Sequence, residues 1–315
     1  VLRLIAIRLG LGLLTLLAVS VLVFAGTEIL PGDVASAILG QQATPEALAN
    51  IRLSLGLDRP ATVRYLAWLA GVVHGDFGTS LANGRPVIHD LAGRFGNTIF
   101  LAAYATVVAV PLSVGLGIVA AVNEGKFVDR AINILTLTTI SVPEFFVGYL
   151  LIIVLAVNLG WFPSLAMVDP SMGFWERVNT TTLPALALVL VVMAHIIRMT
   201  RSSVLAIMSL PHIEMAFLKG LSRTRVVVRH ALPGAAAPII SVIALNLAYL
   251  IVGVILVEVV FVYPGVGQMM VDAVSKRDVP VVQACAIVFA TAFVGLNTIA
   301  DVLSILVNPR LRHPR

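Results

Sequence analysis

Residues able to do chemistry are sparse in this sequence, and their spacing rules out most of the chemistry they serve. His74 and His89 stand fifteen residues apart, and His195, His212 and His230 lack the i, i+4 pairing that lets one helix face hold a metal. Cys285 is the single cysteine and lies in an apolar run, so it reads as a small apolar side chain and excludes an internal disulfide or a cysteine-based metal cluster. EGKF at 124–127 lacks the first glycine and the hydroxyl of a phosphate-binding loop, and no G-x-S-x-G or H-E-x-x-H occurs. No catalytic chemistry, metal or cofactor is expected in this chain.

Three carboxyls in apolar surroundings ask for more attention. Glu144 follows Pro143 in TISVPEFFVGYL, Glu258 lies in VEVVFVYPG, and Asp301 lies within the last apolar run. A carboxyl at membrane depth costs several kcal/mol unless it faces a helix bundle or water. Each either satisfies a neighbouring helix or lines a hydrophilic passage, and Glu144 and Glu258 are the candidates for the passage. A proton relay needs more such groups in register. Pro143 removes a helical hydrogen bond, so a kink is expected just before Glu144.

The remaining polar feature is EMAFLKGLSRTRVVVRHALP, residues 214–233, with four Lys/Arg between long apolar runs. In its first half Ile213, Ala216 and Phe217 share a helical face, away from Glu214 and Lys219. After Gly220, Arg225 and Arg229 are four apart, and Val228, Ala231 and Leu232 form an apolar edge before Pro233 interrupts the pattern. A short helix, a turn and a second short helix are expected. A basic helix resting on anionic headgroups is the simpler explanation, but it accounts for neither the glycine break nor the proline.

The elements that must position these residues are apolar helices. The sequence is 59% hydrophobic and only 12% charged, the composition of a polytopic membrane protein. Arg3 and Arg8 precede an apolar stretch from Leu9 to Phe24 and beyond, too long for a signal-peptide core and without an A-x-A site, so it reads as a retained first span. Five more apolar segments follow at about 98–122, 131–158, 183–208, 235–260 and 280–307. Thirteen of the twenty-one Lys/Arg fall in segments on the side of the amino terminus. Five of the other eight lie in one long segment that weighs little in the positive-inside rule. Both termini are therefore expected in the cytoplasm, and the pI of about 9.8 reports membrane orientation rather than nucleic-acid binding.

The organisation expected is a first span over 1–30, an extracytoplasmic helical subdomain over 31–97, and a five-helix core over 98–308. The core carries the segment 209–234, and a cytoplasmic tail follows at 309–315. Within 31–97, Thr44 caps a helix whose Leu48, Ile51 and Leu55 share a face until Gly56. A second helix carries Tyr65 and Trp68 at the membrane interface, GDFGTS and NGRP turn, and Pro86 starts a helix leading into the second span. No internal repeat is evident.

Residues 214–233 resemble a motif of the permease subunits of binding-protein-dependent ABC importers, written E-A-A, three residues, G, nine residues, I-x-L-P. Glu214, Ala216, Gly220, Leu232 and Pro233 fall at the matching places, with Met215 and His230 replacing an alanine and the isoleucine. Residues 55–87, GWFPS at 160–164, 257–283 and NPRLR at 308–312 are similar to the dipeptide/oligopeptide branch, in particular to the first permease of a dipeptide system. Glu144 stands where a small polar residue is more usual in that branch. The resemblance implies an all-α type I permease fold with six transmembrane helices in the plasma (inner) membrane, forming half of a path for di- or oligopeptides. Glu214, Ala216, Phe217, Gly220, Leu232 and Pro233 would form the coupling segment that docks on an ATPase. The implied partners are a homologous second permease, two ATPase subunits holding ATP and Mg, an extracytoplasmic peptide-binding protein and membrane lipid. Nickel, haem and glutathione systems use near relatives. A self-sufficient secondary transporter or channel is the competing class, which the docking segment and the lack of an inverted repeat disfavour.

Overall fold

The structure, a computed structural model, describes residues 2–29, 44–46 and 58–307. The helix expected over 44–56 and the tail 309–315 lie almost wholly outside the described residues. Eleven helices follow in order among the described residues: α1 (Leu2–Ile29), α2 (Ala61–Val73), α3 (Val87–Val122), α4 (Phe127–Ser141), α5 (Glu144–Leu151), α6 (Phe174–Met208), α7 (Pro211–Leu218), α8 (Arg223–Val226), α9 (Leu232–Val260), α10 (Val266–Lys276) and α11 (Val279–Val307). The β-pairing among the described residues is one bridge between Thr79 and Pro86. Proline sets three of the starts: Pro60, Pro86 and Pro143 precede α2, α3 and α5 with φ near −57° and extended ψ. A proline there leaves no hydrogen bond unmade.

Among the described residues, five helical stretches are long and apolar enough to cross a membrane, and a sixth is counted if α4 and α5 form one broken span. Three of the segments read from hydropathy differ in detail. The second span is the end of a 36-residue helix that starts at Val87, so the boundary at 97/98 falls inside α3. The third, expected as a kinked span over 131–158, is broken: α4 stops at Ser141 and the chain turns by 105° before continuing as α5 and a π-helical turn, Ile152–Asn158. Pro143 restricts Val142 to extended backbone, and Val142 has ψ 130°. The fifth has no interruption at Pro233. α8 widens into a π-helical turn, Val227–Ala231, and passes straight into α9.

The bundle is organised around α3 and α6. Along α3 the fully buried positions recur every fourth residue: Ala105, Ala109, Ser113, Gly117 and Ala121. All are small, so the two backbones come close; a Cβ on Gly117 would lie 2.6 Å from the Thr200 Cβ and 2.9 Å from the Ile197 carbonyl oxygen. Lipid tails are as apolar as leucine, so it is this close fit that holds helices together in a membrane. Leu183, Leu188, Val192, Ile196 and Ile197 of α6 complete a core shared with Leu250, Val254 and Val257 of α9. α1 lies outside this core against α11, where Gly12 meets Val294 and Thr298, and Arg8 pairs with Asp301 at 3.0 Å.

Gly117→Val is expected to force α3 and α6 apart at a cost of about 1–3 kcal/mol. Gly115→Ala, on the same helix with nothing within 4 Å of its added Cβ, should be neutral. Thermal unfolding of the purified variants in detergent checks the contrast.

Candidate functional site

At one end of the bundle α7 and α8 form a bracket around Gly220. α7 begins with Pro211 at its first position and ends at Leu218. The chain then closes on itself: the Gly220 amide donates to the Phe217 carbonyl at 2.8 Å and the Leu221 amide to the Ala216 carbonyl at 3.3 Å. This is the helix-ending motif that needs a left-handed residue, and Gly220 supplies it with φ +78°.

The bracket is pinned from within. Ile213 and Ala216 are buried with Val226, Val227, Ala231, Ala235 and Ile239, against Ala121 of α3 and Val204 of α6. Leu232 packs at the margin of this cluster. Arg223 crosses to the end of α3, donating to the Ala121 carbonyl at 3.3 Å and to Glu124 in the turn that follows at 2.6 Å. Nearby, Arg201 of α6 grips Asp129 of α4 with two bonds of 2.6 and 2.8 Å, and Asp129 also accepts from Asn133 and the Gly125 amide.

The resemblance puts Ala216 in the docking segment, but it faces the chain's own core with Ile213. The outward apolar surface of α7 is Met215, Phe217 and Leu218, the last 75% exposed. Beyond Gly220 the expected edge of Val228, Ala231 and Leu232 is also shifted: Val226, Val227 and Ala231 are buried and Val228 is half exposed. The π-helical turn rotates the faces relative to a regular helix. Glu214 and Pro233 are exposed.

Glu258, a candidate for a passage wall, is instead fully buried at the opposite end of the bundle. It accepts from the Thr98 hydroxyl at 2.6 Å and from the Gly267 and Gln268 amides at 2.7 and 3.1 Å. Gly265 and Gly267 leave the room its carboxylate fills. Around it, Asn97 donates to the Pro264 carbonyl at 2.9 Å, the Tyr263 hydroxyl donates to the Asn97 carbonyl at 2.8 Å, and Arg177 reaches the Asn97 side chain from over the Phe100 ring. Glu258 thus joins α3, α9 and α10. It faces donors of its own chain and no open space.

The same end carries α2 and the loop that follows. α2 leans on α1 through Phe24, Tyr65 and Trp68, a 2.8 Å bond between Ser20 and Tyr65, and a two-pronged Arg64–Glu28 pair. The loop is held by Asp278, which accepts from the Ser80 hydroxyl at 2.5 Å and from the Leu81 and Ala82 amides. Beside it a cavity of about 280 Å³ is lined by Asn83, Asp90, Arg94, Asp272 and Lys276. Among the described residues no group of three His, Cys, Asp or Glu is placed to hold a metal.

Glu144 stands at the break between α4 and α5, the first residue of α5. It presses on α9: a Cβ on Gly253 would lie 2.8 Å from its Oε1. That oxygen is buried and has no hydrogen-bond partner.

Long apolar helices packed by small residues, with a polar bracket at one end, define a polytopic helical membrane protein. A sequence family described as the inner membrane component of binding-protein-dependent transport systems matches residues 113–313, and the family of its N-terminal part matches residues 1–102. The chain belongs to this family and is the permease of an ABC importer, a subunit class that works with ATPase and binding-protein partners. It is 38% identical over 299 residues, 95% of each chain, to a glutathione transport system permease protein of Salmonella typhimurium, and equally to one of Escherichia coli. It is 36% identical over 295 residues, 94% of each chain, to a probable peptide ABC transporter permease protein of Sinorhizobium fredii.

Two variants separate the local roles. Gly220→Val must take a left-handed conformation costing about 1–2 kcal/mol, so cysteine or protease accessibility in 217–223 should rise while the bundle's unfolding temperature stays close to wild type. Glu258→Ala strands three buried donors and should cost about 2–4 kcal/mol. That loss should appear as a lowered unfolding temperature in detergent.

Proposed function

We propose that this chain is one of two homologous permease subunits enclosing the path of a peptide importer in the plasma (inner) membrane. Di- and oligopeptides, glutathione among them, are its substrates. The observation that carries this reading is the bracket itself: a helix fixed to the bundle by Ile213 and Ala216, ended by Gly220, and presenting Met215, Phe217 and Leu218 outward. An apolar face on a rigid mount suits a cleft in a partner protein. Two ATPase subunits, holding ATP and Mg, receive the brackets of the two permeases. The names of the similar proteins support the peptide class.

The Lys/Arg distribution supports cytoplasmic termini and a cytoplasmic bracket. The α2 helix, the loop held by Asp278 and α10 then face outward as the landing surface for a binding protein. ATP binding favours one arrangement of the two permeases and hydrolysis releases it, a shift between populations driven by a ligand.

Expression with its partner chains, followed by pull-down and uptake, tests this. Leu218→Asp and Phe217→Asp place a charge on the outward face and should abolish ATPase co-purification and uptake while leaving the permease folded. Arg225→Gln, on the solvated side, should lower either by less than about five-fold. An Arg225 defect larger than the Leu218 defect points to a membrane-surface helix instead. Purification of an active transporter without any ATPase chain points to a secondary transporter.

A further inference from the structure

The break between α4 and α5 is rich in hydrogen-bond acceptors. α4 stops at Ser141, and a helix that stops leaves its last carbonyls without partners from the next turn. The hydroxyls of Thr138, Thr139 and Ser141 each donate 2.9 Å bonds back to carbonyls of α4, at Ile134, Leu135 and Leu137. Their protons are spent, and their oxygens are left as acceptors. Glu144 adds a carboxylate. Two amides of the first turn of α5 do not serve it: Phe146 and Val147 donate to the Pro143 carbonyl at 3.0 and 3.1 Å. The ion pairs among the described residues all involve other carboxylates.

The fit to α9 shows that the carboxylate has a made place. Gly253 lacks the Cβ that would displace it, and one turn further along α5 Gly148 does the same for Val260 and Phe261. On the Gly253 face of α9, one turn back, Tyr249 stands 65% exposed. A carboxylate with carbonyl and hydroxyl oxygens near it, and an exposed aromatic side chain one turn away on the helix it packs against, is an environment that a primary ammonium, with three donors and no acceptor, satisfies.

We propose that this break is an ammonium-recognition site of the path, with Glu144 as counter-ion to the α-ammonium of the passing peptide. The proposal rests on the peptide-permease reading. The free amino terminus neutralises a carboxylate that the chain itself leaves unpaired, so a charged peptide end crosses the middle of the bundle against an opposite charge. A carboxyl kept neutral by its own proton and serving only to pack against Gly253 is the alternative.

Uptake by the complete importer, reconstituted in liposomes with its binding protein and ATPases, decides between them. The probes are alanyl-alanine and glutathione, each with a free and an N-acetylated amino group. The binding protein is the same in every variant, so a change in the free-to-acetylated uptake ratio belongs to the permease. Glu144→Gln should lower that ratio roughly ten-fold, the effect of losing one charge-assisted bond, and Glu144→Asp should recover part of it. Gly253→Ala, which leaves the carboxyl chemically intact but displaces it, should lower the ratio as well and does not depend on how Glu144→Gln folds. An unchanged ratio in both Glu144→Gln and Gly253→Ala overturns the site. If the wild-type importer carries none of the four probes, the peptide reading itself fails, and the site falls with it.

Discussion

Everything in this bundle depends on how closely α3 approaches α6. Between two helices in lipid there is no water to expel, so contact must be earned by fit. Five small residues spaced four apart on α3 provide that fit, and Gly117 against Thr200 is its tightest point. The larger side chains of α6 then turn toward α9, and α9 in turn receives α5 through Gly148 and Gly253. Glycine recurs where helices touch, so the order of packing is written in which faces lack side chains.

Polar groups divide by whether the chain completes them. Glu258 and Asp129, at opposite ends of the bundle, are each surrounded by donors from separate elements and act as clasps. Removing one partner of such a group costs far more than the group's net worth, because the rest is left buried and unpaired. Glu144 differs in kind: it is held by shape, and one of its carboxyl oxygens is buried without a hydrogen-bond partner. The distinction follows from counting donors and does not depend on depth in the membrane alone.

Much of this was legible in the sequence. Apolar runs gave the helices, Pro143 gave a departure from helix, and the spacing of Glu214, Gly220 and Pro233 gave the bracket and its turn. The failures share a cause. Helical periodicity assumes 3.6 residues per turn and one partner surface, so it grouped Phe217 with the buried Ile213 and Ala216 and could not anticipate a π-helical turn beside an exposed Val228 and a buried Val226. Hydropathy marks apolar length, and therefore drew a boundary at 97/98 inside α3, a helix whose start Pro86 had marked. Glu258 looked like a wall residue because its donors, Thr98 and the Gly267 amide, are remote or belong to backbone. A signal for the α3–α6 contact was present in the four-residue spacing of Ala105, Ala109, Ser113, Gly117 and Ala121.

The π-helical turn before α9 also sets a phase. It holds one residue more than an α-helical path would, and each residue of an α-helix advances the azimuth by about 100°. Val227, Ala231, Ala235 and Ile239 lie in one buried cluster that runs from that turn into the long helix. The compass bearing of the bracket relative to the long helix is therefore fixed by a single inserted position. Loss of one residue between 227 and 231 would leave every side chain of the bracket chemically unchanged while pointing its outward face about a quarter-turn away.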